Sequence, residues 1–504
     1  MLPNHWTWHQ PFAQLPACRP LGGYRGTRFV RRSRRRKTAL PETVPSKVFS
    51  LKVCQFRDSL QDAPAGSQFV KNRGSPRRVL AQLAQQLNRR RSLQAALAPK
   101  MLDLDKLSRL RFGMSEVPTT ASQRGTYEEK WSQWFLERSF FRDFVYRNPR
   151  GKKKGQELAD AVVLFDDVVL MVQVKAQCGQ HEAMSWATEK LIEAFKQLCK
   201  THKNLVEGHI KKLKNDFYGE IEFDPKSYPN MIGLLILAHN SAPYVAAKLV
   251  PEILAARFPI HVFSLSDFAT VASRFDTAGD LITFLEMRGD VATKEVLSVQ
   301  DEVGNIERML PHVEQVLRTH MSPASPQVMQ KTVKAFEEVA IGKLLESPDW
   351  RYGLVIDDMI ARAHDVDPAL PWNTGRKLAG LEVAKFLGWF TRDRRIKLGK
   401  RVIAKCEAAR DGKPHYFLHR QPSRGTACVF LATPESRAER VKHLHFLVSY
   451  AHMKYGVRQC LGVATEPIGR GRSHDFIITR KSPPRALVEQ LKTFDDPFSS
   501  DGPL

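Results

Sequence analysis

The chain has 504 residues and a formal net charge of +25, with 78 Lys and Arg against 53 Asp and Glu. That length allows two or three domains, and the charge points to a polyanionic partner such as nucleic acid. No apolar run reaches the roughly 18 residues needed to cross a bilayer, so no membrane partner is expected. The seven cysteines are scattered and form no Cys-x-x-Cys pair, which argues against a zinc ribbon and for a reducing, cytoplasmic compartment.

Much of the charge sits at one end. Residues 1–100 hold 20 Lys and Arg and 3 acids, a net of +17, which leaves +8 of the +25 for the rest. This stretch has no acid before Glu42, contains RRSRRRK at 31–37 and shows little apolar periodicity before about Val79. It reads as a basic, disordered extension over residues 1–114. Three origins fit: an Arg-rich, acid-poor targeting segment, a basic arm for nucleic acid, or sequence upstream of a true start at Met101 or Met114. We favour the last, because the core beyond it needs nothing from it.

Residues 115–290 carry an α/β pattern. TYEEKWSQWFLERSFF, 126–141, predicts a helix. Glu128 shares one face of it with Trp131 and Phe135, and Glu129 shares another with Gln133 and Leu136. A basic loop comes next at 147–155, RNPRGKKKG, with Arg147, Arg150, Lys152, Lys153 and Lys154. ELADAVVLFDDVVLMVQVKAQ, 157–177, predicts two strands joined by a tight turn. With Asp166 and Asp167 as a two-residue turn, Phe165 pairs with Val168 and Asp160 falls opposite Gln173. Lys175 then points to the same face, alongside Val162, Leu164, Val169 and Met171. Ala161, Val163, Phe165, Val168, Leu170, Val172 and Val174 line the other. A hairpin apolar on both faces is a central one. Burying a carboxylate, an amide and an ammonium at its end is costly unless they serve each other or a metal. Asp166 and Asp167 are expected to act as turn formers only.

The apolar stripe Trp186, Leu191, Ala194, Phe195 and Leu198 predicts a helix from about Ser185 to about Lys214, with Lys190 and Gln197 on a common face. Apolar strands are expected at 231–239 and 259–265. Residues 291–410 read as a mostly helical connecting region, with a linker MSPASP at 321–326 and a basic segment TRDRRIKLGKR at 391–401. Residues 411–490 read as a smaller accessory α/β domain, and 491–504 as a tail. Its strands are HYFLHR, ACVFLA, CLGVATE and HDFIIT, with a helix at 434–455 capped by Thr433 and opened by Pro434. Between Glu466 and Asp475 lies a loop with Gly469, Arg470, Gly471 and Arg472. It either holds a phosphate through backbone N–H groups or is an ordinary flexible connection.

The helix with its glutamates, the apolar hairpin and the trio Asp160, Gln173 and Lys175 resemble the PD-(D/E)xK nucleases, the restriction-endonuclease-like superfamily. The resemblance covers roughly a third of the chain. Gln173 stands where an acid is usual, as in the similar Mrr-type endonucleases. The resemblance implies a restriction-endonuclease-like mixed sheet flanked by helices. It implies Mg²⁺ or Mn²⁺ held by Asp160, Gln173 and a helix glutamate, with Glu128 preferred to Glu129. Lys175 would orient the attacking water or stabilise charge on the phosphate. Lys190, Gln197 and the loop residues Arg150, Lys152, Lys153 and Lys154 would meet the nucleic-acid backbone. The expected function is metal-dependent endonucleolytic hydrolysis of DNA, in restriction or defence, with the C-terminal domain for target or partner recognition and a homodimer left open. Two other classes remain: a non-catalytic nucleic-acid-binding module, and an interaction protein whose polar trio is structural.

Overall fold

The computed structural model describes residues 126–499 apart from 150–156, 178–182, 216–218, 239–251, 254, 293–296, 298, 300, 321–325, 364–373, 422–423, 468–473 and 481–482. The basic extension, the loop residues Arg150, Lys152, Lys153 and Lys154, most of the MSPASP linker and the Gly469–Arg472 loop therefore lie outside the described residues. The chain divides between Lys71 and Asn72, and every described residue belongs to the second unit.

Helix α1 (Thr126–Phe140) leads into strands β1 (Val145–Arg147), β2 (Ala161–Phe165) and β3 (Val168–Ala176). Helix α2 (Ala183–Val206) and a hairpin of β4 (Lys212–Asn215) and β5 (Gly219–Glu222) precede β6 (Asn230–Ala238) and β7 (Ile260–Ser264). One mixed sheet has the order β1-β2-β3-β6-β7. β1, β2 and β3 form an antiparallel meander, and β6 and β7 run parallel to β3. The α/β class is thus established.

The hairpin register is the expected one. Phe165 pairs with Val168 across Asp166 and Asp167, and the ladder runs back to Ala161 opposite Val172. Both faces are buried, and they split as their parity requires. Ala161, Val163, Phe165, Leu170 and Val172 enter a large core with Trp131, Trp134 and Phe135 of α1. Val162, Leu164, Val169 and Met171 enter a second core with Trp186, Leu191, Ala194 and Leu198 of α2. Each fully buried aliphatic side chain contributes about 1.5–3 kcal/mol, so a slip of one residue, which exchanges the faces, is strongly disfavoured.

The turn does more than reverse the chain. Asp166 takes the left-handed conformation (φ 57°) that Asp tolerates better than most residues. Its Oδ2 accepts from Trp389 Nε1 and from Arg424 Nη2, both at 2.7 Å. Asp167 accepts from Asn230 Nδ2 at 2.9 Å, at the first residue of β6. Both aspartates tie the hairpin to distant parts of the chain.

Helix α2 ends at Val206 rather than near Lys214. Gly208 comes next at φ 68°, the left-handed conformation that stops a helix, and the chain then forms β4. Asn215 at the end of β4 donates to the carbonyls of Val145 (2.9 Å) and Arg142 (3.0 Å), fixing the small hairpin to the β1 edge.

Among the described residues, the order continues through helices α3 (Leu265–Arg274), α4 (Ala278–Ala292), α5 (Glu302–Met309), α6 (Val313–His320), α7 (Pro326–Ala340), α8 (Lys343–Glu346), α9 (Trp350–Arg362), α10 (Thr374–Gly388) and α11 (Arg392–Ala408). The accessory unit is β8 (His415–Gln421), β9 (Thr426–Ala432), α12 (Arg437–Tyr455), β10 (Gln459–Thr465) and β11 (His474–Thr479), with α13 (Arg485–Leu491) after it. Its sheet has the order β11-β10-β9-β8, with β9 and β10 parallel. Phe417, Phe430, Leu461 and Val463 on one face belong to the same apolar core as Trp131 and Phe165. The core is therefore continuous across positions 290 and 410. Helix α12 begins three residues later than expected: Ser436, not Thr433, is the cap, and it accepts from the N–H of Glu439.

Helices α9 and α11 touch backbone to backbone. A β-carbon built on Gly399 would collide with the carbonyl of Tyr352. Gly399→Ala is expected to destabilise the protein by about 1–3 kcal/mol, because a main-chain neighbour cannot swing aside. A chemical denaturation midpoint equal to that of the wild type would contradict this packing.

Candidate active site

The irregular start of β2 positions the site. Asp160 precedes the regular ladder, and its backbone is held on both sides. Its N–H donates to Val172 O (3.1 Å), and its carbonyl accepts from the N–H of Asn148 (3.1 Å) and from Gln133 Nε2 of α1 (3.1 Å). Leu158 is fixed similarly, with its N–H on Pro149 O (2.7 Å) and its carbonyl taken by the Thr201 hydroxyl of α2. This clamp turns the Asp160 carboxylate over β3, where Oδ2 accepts from the Val174 N–H at 2.6 Å. Gln173, next in the ladder after the Ala161–Val172 pair, is buried.

The α1 glutamate brought to this end is Glu129, not the Glu128 that the sequence pattern favours. The physical signal lies in Gln133. It stands one helical turn after Glu129, and its amide grips Asp160, so Glu129 extends the same face over the strand end. Glu128 lies on the face of Trp131 and Phe135, whose rings go into the core. Burial first, then the charges of Asp160 and Glu157, push the Glu129 carboxyl up to about 7, against a partial pull from Lys175. Burial also raises Asp160, opposed by the Val174 N–H and by Lys175. Glu157 is exposed and bears on Glu129 and Asp160 through its charge alone.

Lys175 reaches a partner that sequence reasoning missed. Its Nζ lies 3.1 Å from Oε1 of Glu193, on α2. Lys190 and Gln197, expected to share a face of that helix, both converge on the same carboxylate, at 2.8 Å and 3.2 Å. Hydrogen bonding from Lys190, then from Lys175, holds Glu193 below the usual carboxylate range. Glu193 lies between Lys190 and Gln197 on their common face, and that spacing was its only sequence signal. Arg147, expected in a substrate-facing loop, sits instead on β1 and pairs with the buried Glu137.

The donors suit a hard cation of modest protein demand. Among the described residues, no three His, Cys, Asp or Glu side chains converge into a ready cation cage. Mg²⁺ needs only one or two carboxylates, since it keeps several waters. Asp160 and Glu129 are the two that would offer them, and the Glu129 carboxyl is raised by burial first and by the charges of Asp160 and Glu157 second.

The pH dependence follows from Glu129. In the unfolded chain it titrates near 4.5, and in the folded protein near 7. Between these values unfolding releases its proton, so this group makes stability fall as pH rises from about 4.5 to about 7 and adds no further slope above. Glu129→Gln is expected to melt higher than the wild type at about pH 8 and level with it at about pH 4. Thermal melts at both ends check this, and a constant difference between the two proteins would exclude the burial of Glu129 as its cause.

Compared with protein-family models, with curated proteins and with solved structures, the chain matches none. Among the described residues, no helix is long and apolar enough to cross a membrane.

Proposed function

We propose that this chain is a metal-dependent nuclease with a restriction-endonuclease-like core, hydrolysing phosphodiester bonds within DNA. The observation that carries the reading is the convergence at one strand end of Asp160, Glu129 and Lys175, with Asp160 held by the Gln133 and Val174 contacts. Asp160 and Glu129 would hold Mg²⁺ or Mn²⁺, with the Gln173 side-chain oxygen as a further donor. The cation would neutralise charge on the phosphoryl oxygens and acidify a bound water. Lys175 supplies a positive charge beside the scissile phosphate and orients the attacking water. Glu193 sets where that ammonium rests, and Lys190 and Gln197 set Glu193. The free thiols of Cys199, Cys406, Cys428 and Cys460 are in keeping with a cytoplasmic location. A role in restriction or defence, a homodimer, and a protein partner on the accessory sheet belong to the same proposal.

A second reading is a nucleic-acid-binding module that has lost catalysis. Two features favour it: the third acid is an amide, Gln173, and Lys175 is already neutralised by Glu193. The test is cleavage of plasmid and single-stranded DNA with Mg²⁺ and with Mn²⁺. Metal-dependent cutting that disappears with Lys175 supports the nuclease. Metal-independent binding without cutting supports the module.

A further inference from the structure

The second sheet meets α11 across a cluster of cations in which one guanidinium, that of Arg394, is engaged by no acid among the described residues. Arg394 and Arg401 lie seven residues apart on one face of α11, and His419 faces them from β8. Arg424, from the β8–β9 turn, lies over the Trp389 ring at 4.0 Å and gives one edge to Asp166. Arg401 lies over the Phe417 ring at 4.4 Å. Arg394 is partly buried, and among the described residues no hydrogen bond or ion pair engages its guanidinium. The two acids in its field are committed elsewhere. Asp393 binds Lys397 at 2.7 Å, and Asp280 accepts the Arg392 N–H and the Thr277 hydroxyl, both at 2.7 Å. His419 is only 8% exposed, and among the described residues its Nε2 has no hydrogen-bond partner. Burial and the positive charges of Arg394 and Arg401 hold that imidazole down at about 4, so it is neutral at physiological pH.

A partly buried guanidinium beside a second one, with no acid of its own, is an unfavourable arrangement unless an anion completes it. The guanidinium fork matches phosphate oxygens in pairs, and Arg424 and Arg401 are held in place by their aromatic platforms. We infer that Arg394, Arg424 and His419 form the wall of a phosphate-binding site between α11 and the residues Arg424 and Gly425 that lead into β9. It lies by the turn of the β2–β3 hairpin, at the opposite end from Asp160 and Lys175, so it is a separate site and does not depend on cleavage chemistry. The phosphate belongs either to a nucleic-acid backbone or to a small phosphorylated molecule.

The test compares the full-length wild type with Arg394→Gln, in thermal melts with inorganic phosphate against chloride at matched ionic strength. Phosphate is expected to raise the melting temperature of the wild type by several degrees and to leave Arg394→Gln unmoved. Without phosphate, Arg394→Gln should melt at or above the wild type, because it loses a partly buried charge that has no ion pair. Arg394→Lys, which keeps the charge but not the fork, should retain only part of the response and serves if the glutamine variant folds poorly. No phosphate shift in the wild type, or equal shifts in wild type and Arg394→Gln, overturns the site. Fluorescence anisotropy with a DNA duplex separates the sources. Binding weakened about tenfold or more by Arg394→Gln assigns the phosphate to the nucleic-acid backbone, and unchanged duplex binding with the phosphate response intact assigns it to a small molecule.

Discussion

Lys175→Ala is expected to lower Mg²⁺-dependent plasmid cleavage by about a hundredfold to ten-thousandfold, the usual cost of deleting a charge-stabilising or proton-handling group. The fold should survive. Lys175 lies near the end of β3, its side chain is 19% exposed, and its ion pair with the half-exposed Glu193 is a contact of low energetic weight. Asp160→Asn should be at least as damaging to cleavage through loss of cation affinity, while keeping the hydrogen bond from the Val174 N–H. Glu193→Gln separates position from chemistry. It leaves Lys175 in place but releases the ammonium from its anchor, so it should alter cleavage severalfold rather than abolish it. Nicking assays in Mg²⁺ and Mn²⁺, with circular dichroism as the check on folding, read all three. Cutting that persists in Lys175→Ala and Asp160→Asn would remove these residues from catalysis. No cutting by any form would move the weight to binding without hydrolysis.

The largest effect on stability is expected from Asp357→Ala. Asp357 on α9 accepts from Arg392 Nη1 at 3.0 Å and from Arg395 Nη1, and all three side chains are essentially buried. Arg392 also forms a bidentate pair with Asp276, both bonds at 2.9 Å, in the segment between α3 and α4. The network therefore joins the helices behind the first sheet to those that carry the second. Removing Asp357 takes a carboxylate from two buried guanidinium groups at once, Arg392 keeping Asp276 and Arg395 keeping the carbonyls of Phe390 and Gly388. Breaking such a network on one side costs about 3–5 kcal/mol, because the stranded charge cannot regain its water. That is a large part of a typical domain's stability of about 5–15 kcal/mol. A denaturant titration reads it directly, and a loss of less than about 1 kcal/mol would mean that water or a rearranged acid reaches Arg392 and Arg395. The charge-removing double variant Asp357→Leu with Arg395→Met should recover part of the loss.

How much of this was legible in the sequence varies with how local each feature is. The β2–β3 register from Phe165–Val168 back to Ala161–Val172 and the division of its apolar residues between two cores follow from a period of two and a two-residue turn, whereas Asp160, expected opposite Gln173, lies just outside that ladder. Such features involve neighbours in the chain, so the order of residues determines them. The run of strands and helices through the first domain was readable for the same reason, apart from the short edge strand β1 and the Gly208 stop that cuts α2 short and allows the β4–β5 hairpin.

Contacts between elements were not readable in this way. Glu128 and Glu129 differ by a rotation of about 100° on α1, and only the docking of that helix on the sheet turned Glu129 and Gln133 toward Asp160. The partnership of Lys175 with Glu193 and the use of the turn residue Asp166 by Trp389 and Arg424 join residues from 18 to 258 positions apart. The isolation of the Arg394 guanidinium among the described residues is equally a matter of what other segments fail to bring to it. The sequence by itself determined the strands, their faces and the polar residues at their ends. Tertiary structure alone decided which charges meet there, because the energy of a buried charge depends on what other segments place around it, and spacing along the chain carries no record of that.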